Sequence, residues 1–232
     1  MRTGYLPLLG AVLCLTSCGA RTGPTQRESR SIERDASKTL RTELLMGGGT
    51  LKVSGGSPNW MQGDFAYNLP SWKPNIRYAT TGGHGDLTIE QPSSGQIHLG
   101  NTTNEWNLRL NDEIPTDLTA RVGGGEARLN LGTLSLRSLE IEMGAGELRL
   151  DLRGKPSRDY NVRIRGGAGE ATVYLSRDVG VYAKATGLIG DIKVQGLRAE
   201  GGHWVNDAYG TSKVQLRLDI QGGVGAINLI AE

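Results

Sequence analysis

One short pattern recurs along this chain: an apolar strand, a Gly-x-Gly turn, often an acid, then a strand that alternates apolar and polar residues. It reads MGGGTLKV from Met46, GGHGDLTI from Gly82, GGGEARLNL from Gly123, GAGELRLDL from Gly144, GAGEATVYL from Gly167, LIGDIKV from Leu188 and GVGAINLI from Gly223. The final glycines are Gly49, Gly85, Gly125, Gly146, Gly169, Gly190 and Gly225. Gly125 to Gly146 and Gly169 to Gly190 are both steps of 21 residues, with a step of 23 between them. The wider gaps approach twice that length and hold NEWNLRL from Asn104 and SKVQLRL from Ser212, which read as weaker units. A period near 20 marks a solenoid, in which each unit buries its apolar face against the next.

The strands alternate with period two, as Glu147-Leu148-Arg149-Leu150-Asp151-Leu152 shows. No glycine turn leads into a helix start, and no stretch keeps an apolar stripe of helical period. The expected fold is therefore all-β: a single-stranded, right-handed β-helix-like solenoid of about 20-residue rungs. Each unit is expected to make two strands and two turns and to stack in chain order, so that some nine units give a rod of about 40 Å. The outward charges support the register. Four residues before successive final glycines stand Arg121, Glu142 and Arg165, and six before stand Glu140 and Arg163. Opposite charges on neighbouring rungs favour pairing.

Composition removes several alternatives. The chain has 232 residues and 35 glycines, but glycine does not recur at every third position as collagen requires. The net charge of +2 carries no clustered basic face for nucleic acid.

The first seventeen residues read as a secretion signal. Arg2 is followed by the apolar run Leu6 to Leu15, which is too short to span a bilayer. It ends in Leu15-Thr16-Ser17-Cys18-Gly19. This resembles the lipobox of bacterial lipoproteins; the alternative is a plain signal with a chance cysteine. The lipobox implies cleavage before Cys18 and acylation of its thiol, making membrane lipid the first expected partner. Gly19 resembles the pattern that sorts lipoproteins to the outer membrane in Gram-negative cells. Cys14 falls in the signal, so the mature chain would hold no disulfide. The expected organisation is a signal at 1–17, a polar tether at 18–38, an N-terminal β domain at 39–118 and a continuous C-terminal solenoid at 119–232.

Possible sites are few. Asp86, Glu126, Glu147, Glu170 and Asp191 follow the turns and predict a stacked carboxylate line. It reads either as a Ca²⁺ or catalytic ladder, or as solvated strand starts paired with Arg128, Arg149 and Lys193 two residues on. His84, His98 and His203 have no spacing that suits a metal, and the G-x-S-x-G signature of serine hydrolases is absent. No catalytic residue, metal or cofactor is expected. Trp60, Trp72, Trp106 and Trp204 are the candidate binding surface, since aromatic faces stack on sugars; core or end-cap packing is the alternative.

Val162 to Gly196, VRIRGGAGEATVYLSRDVGVYAKATGLIGDIKVQG, resembles the C-terminal domain of LiaF-like cell-wall-active antibiotic response proteins. Asp64-Phe65-Ala66-Tyr67-Asn68, Trp72-Lys73-Pro74 and Trp106-Asn107-Leu108-Arg109-Leu110-Asn111 resemble the toast-rack N-terminal domain found beside it. The resemblance implies a β-helix, an envelope location and a link to envelope stress, and it supplies no catalytic residue. The functional expectation is a non-enzymatic interaction or scaffold module in the cell envelope with a protein or glycan partner. A surface adhesin or glycan-binding protein is the second reading, and a β-helix polysaccharide enzyme the third.

Overall fold

A computed structural model describes residues 22–92 and 102–232. Its strands in chain order are β1 Gln26–Ile32, β2 Thr39–Ser54, β3 Met61–Tyr67, β4 Asn75–Thr81, β5 His84–Glu90, β6 Asn104–Leu110 and β7 Thr116–Asn130. There follow β8 Leu136–Asp151, β9 Tyr160–Leu175, β10 Gly180–Ile189, β11 Ile192–Gln195, β12 Arg198–Glu200, β13 His203–Val205 and β14 Gln215–Ala231. One 3₁₀ turn, Pro70–Trp72, precedes β4. The strands form one open 14-stranded sheet, an all-β solenoid as the repeat predicts.

Each rung is a single long strand turned at its glycine. In β8, Leu139, Ile141 and Met143 point inward before the turn, and Leu148 and Leu150 after it, followed by the buried Leu152 just past the strand. The inward register therefore shifts by one residue at Gly146. The corner glycines Gly49, Gly125, Gly146, Gly169, Gly190 and Gly225 carry φ between 116° and 135°, a region glycine enters without steric cost. Both arms of each rung then feed one apolar core. The unit is thus one turned strand and a return loop, where two strands and two turns were expected.

The glycines also face each other across rungs. A Cβ on Gly146 would stand 1.9 Å from the Gly125 carbonyl oxygen, and one on Gly169 would stand 1.8 Å from that of Gly146. Gly123, Gly144, Gly167 and Gly223 form a second such column, with clearances of 2.1–2.3 Å. Two columns two residues apart explain the Gly-x-Gly spelling.

Chain order and stacking order differ. The parallel rungs run β2-β7-β8-β9-β14, then β10 and β11, so the C-terminal strand inserts between two earlier ones. SKVQLRL leads into β14, whose first arm begins at Gln215, and is not a separate unit. NEWNLRL is β6, a half-rung parallel to the second arm of β2. Gly85 is not a corner. It lies in the straight strand β5, which pairs with the first arm of β2 and forms a hairpin with β4, and its α-carbon packs against Tyr78. Beyond β2 the two arms therefore separate, one continuing through β6, β3 and β1 and the other through β5 and β4.

Part of the expected tether is ordered. Gln26–Ile32 is an edge strand antiparallel to β3, and its charges Arg27, Glu28 and Arg30 suit an unpaired edge. The segment after it is fixed by Asp35. Its Oδ1 accepts hydrogen bonds from the Ser37 backbone N–H (2.8 Å) and Trp60 Nε1 (3.1 Å), and its Oδ2 from Tyr78 Oη (2.9 Å) and Thr80 Oγ1. Hydrogen bonds from the Ser37 side chain first, then from Thr80, the Ser37 backbone and Tyr78, outweigh burial and hold the carboxyl well below its ordinary value of 3.8. At the same end Gln91 Oε1 accepts from the N–H groups of Gly47 (2.9 Å) and Gly48 (3.3 Å), standing in for the next rung at the glycine corner.

Gly146→Ala must push a carbonyl and strain φ together, and should cost about 3 kcal/mol or more in urea unfolding. Gly166→Ala, where a Cβ meets nothing within 4 Å, should shift stability by less than about 1 kcal/mol. Because folding lowers the Asp35 pKa, its contribution is complete above 3.8 and is lost as pH falls toward the folded-state value. Asp35→Asn should therefore lower the melting temperature at neutral pH, and the gap to the parent should narrow steadily in acid below 3.8.

Candidate interaction surface

The outward side chains of the stacked rungs line up in rows because the ladder is in register. On the second arm, Thr50, Glu126, Glu147 and Glu170 occupy successive rungs at one level. Two residues on, Lys52, Arg128, Arg149 and Thr172 form the adjacent row. A carboxylate row thus runs beside a basic row. Arg128 pairs with Glu126 in its own strand, and Asn228 Nδ2 donates to Glu170 Oε1 at 2.7 Å. Further along this arm, burial pushes the Asp151 carboxyl up, but hydrogen bonds and charge from Arg153 outweigh it and leave the group below its ordinary value.

The acid line is shorter than the sequence suggests. Glu126, Glu147 and Glu170 do stack. Asp86 is instead in β5, opposite Arg41, and Asp191 follows the corner of the last rung with Ala226 between it and Glu170. Among the described residues no group of three or more His, Cys, Asp or Glu side chains is placed to hold a metal. His84 Nδ1 lies 2.6 Å from Thr39 Oγ1, and His203 stacks on Tyr182 with ring centroids 4.3 Å apart. His98 lies outside the described residues, as does Cys18.

The first arm carries the other ladder. Arg121 Nε is 3.0 Å from Glu142, and Arg165 reaches both Glu142 and Glu140 at 3.2 Å. The alternation of charge along one level is as the sequence register predicts.

The four tryptophans are not brought together. Trp60 and Trp106 are buried at 1% and 0% exposure, so neither offers a face to a ligand. Trp60 is held by Asp35 and covered by Arg34, whose guanidinium lies 5.2 Å from the ring centroid. Trp106 meets Phe65 edge-on at 5.8 Å. Both are apolar plugs of the core where the two arms separate. Trp72 sits half-buried in the 3₁₀ turn, and Trp204 half-buried on β13, paired opposite Ala183 in the last rung. Near the N-terminal end an open groove of about 470 Å³ runs over the outer face, lined by Arg27, Ser29, Lys52, Asp64, Glu105 and Asn107. It continues the charged rows, and no sequence motif marked it because its walls come from four strands far apart in the chain. Among the described residues no helix is long and apolar enough to cross a membrane.

Comparison with known proteins places this architecture. Residues 21–174 match the family described as the N-terminal domain of toast_rack. A crystal structure from Clostridium sporogenes, of a protein provisionally named a cell adhesion protein, is 37% identical. It aligns over 90% of this chain and 100% of its own, with a TM-score of 0.87. A provisionally named adhesin from Bacteroides fragilis is 10% identical over 88% of this chain and 96% of its own, with a TM-score of 0.33. No curated protein matches. With the family match spanning residues 21–174 and the 37%-identical Clostridium structure aligning over 90% of the chain, this chain belongs to the toast-rack family.

Proposed function

We propose that this chain is a non-enzymatic interaction module of the cell envelope, held at a membrane by lipid on Cys18, and that its outer charged face is what it presents to a partner. The observation that carries this reading is the register-locked pairing of a carboxylate row with a basic row on the second arm. A rigid sheet holds these charges at fixed spacing with little entropy left to lose on binding. The groove lined by Asp64, Glu105 and Lys52 extends that face toward the N-terminal end. The LiaF-like resemblance adds envelope stress response as the setting, with an envelope protein as partner.

A second reading, surface adhesion or glycan binding, draws support from the name of the 37%-identical Clostridium protein. On this reading Trp72 and Trp204, half-buried rather than buried, are the sugar-stacking candidates.

Three experiments test these readings. Cys18→Ala should leave an unprocessed or soluble form, followed by membrane partition and by the mass of the mature N-terminus; a variant that partitions like the parent ends the lipoprotein reading. Replacing Glu126, Glu147 and Glu170 together with Gln removes the charge at nearly constant size and should reduce capture of envelope partners from native membranes about tenfold or more, with only a small change in melting temperature. Undiminished capture would rule this face out. Specific signal on a glycan array, lost in Trp72→Ala or Trp204→Ala, would move the assignment to the second reading.

A further inference from the structure

The two ends of the rung stack are built differently. At the β2 end the glycine corner is closed by Gln91 and Asn104, and more strands continue on both arms. At the β10–β11 end it is bare. The hairpin β12–β13 pairs with β10 only at Tyr182 and Ala183. Among the described residues no strand pairs with the outer side of Lys184–Ile189 or of β11. Around this corner sit the exposed apolar side chains Leu188, Ile189 and Val224, at 85%, 67% and 52% exposure. Leu188 stands at the level where the other rungs carry a column glycine, beside Gly223.

We infer that this last rung is a self-association edge, and that it pairs antiparallel with the same edge of a second copy across a two-fold axis at the Gly190 corner.

Three features fit a second copy of this chain. First, the free edge is symmetric about the corner. Six residues lie before Gly190 (Lys184 to Ile189) and β11 ends at Gln195 after it, so the first arm of one copy matches the second arm of the other in length. Second, the faces agree. Ala185 points inward before the corner, and Ile192 and Val194 pack on the core after it. An antiparallel register that sets Ala185 opposite Val194 also sets Lys184 opposite Gln195 and Thr186 opposite Lys193. In these three pairs apolar meets apolar and polar meets polar, Leu188 falls opposite Asp191, and no two like charges are opposed. That register places the axis between Ile189 and Gly190, so the exposed Leu188 and Ile189 of both copies are buried together. Third, the hydrogen-bonding groups are available. Ile227 N–H donates to the Asp191 carbonyl at 2.9 Å, which in a parallel ladder turns the groups of Asp191, Lys193 and Gln195 toward β14. Those of Ile192 and Val194 face outward, with no partner strand among the described residues. The other free edge on this arm, β1, carries the three charges Arg27, Glu28 and Arg30, whereas β11 carries Lys193 alone.

Such a dimer would be one sheet crossing the axis. Nine strands run from β1 to β11 along the second arm, both included, so the two N-terminal segments would stand about 80 Å apart at opposite ends.

Sedimentation equilibrium on the intact chain in detergent tests this. The parent should show a concentration-dependent mass approaching twice that of one chain. Leu188→Asp, exposed and therefore neutral to the fold, sets an acid opposite Asp191 and should run as a single chain. Val194→Pro removes an outward N–H while sparing the ladder to β14, and should do the same. Both variants should keep the circular dichroism spectrum and melting temperature of a folded single chain. A parent that stays monomeric throughout the concentration range overturns the inference and leaves the edge to some other strand. So does a dimer that neither substitution weakens, since it must then form elsewhere.

Discussion

The contact that governs this structure is a backbone carbonyl against a glycine α-carbon. At each corner the oxygen of one rung lies where the Cβ of the next would be, with clearances of 1.7–2.1 Å between Gly49, Gly125, Gly146, Gly169, Gly225 and Gly190. No side chain fits there, and the positive φ at the same residue excludes one independently. The corner sets the angle between the arms, and the angle lets both arms contribute leucines, isoleucines and valines to one narrow core. With no disulfide among the described residues and little helix, that core and the ladder hydrogen bonds supply the stability.

The same constraint explains what the sequence displayed. A column that tolerates only glycine leaves a periodic mark that hydrophobic alternation alone would not. The step of about 21 residues is one turned strand of 15 or 16 plus its return loop, and it reads correctly through β7, β8 and β9, where chain order and stacking order agree. Arg121, Glu142 and Arg165 were legible for the same reason, because a register fixed by glycines also fixes the level of every outward charge.

Reading failed where stacking departs from chain order. Nothing in the local spelling of β14 says that it enters between β9 and β10, because parallel neighbours present the same alternation whichever comes first. Gly85 shares the Gly-x-Gly spelling, but its role is close packing against Tyr78 in a straight strand; only its φ separates it from the corners. Trp60 and Trp106 looked like ligand faces because a tryptophan's burial depends on what fills the space above it. That space lies where the two arms part, and it is bounded by strands that meet only in the folded sheet. Asp35 gave no signal at all, since its donors Ser37, Trp60, Tyr78 and Thr80 are spread over 43 residues of sequence.

A solenoid built this way has a problem at each end, because every rung presents unpaired groups to the next. The N-terminal end answers it with side chains: Gln91 takes the amides of the glycine corner, Asn104 donates to the Gly48 carbonyl, and charged β1 closes one arm. The C-terminal end answers it on half of one arm only, through β13. What remains open joins unpaired backbone groups to exposed Leu188 and Ile189. A polar edge of that length could rest in water at little cost, but an apolar corner beside it could not without exposing area that burial would stabilise. The asymmetry between the ends thus gives the stack a direction: one end terminates the ladder within the chain, and the other leaves it to be continued.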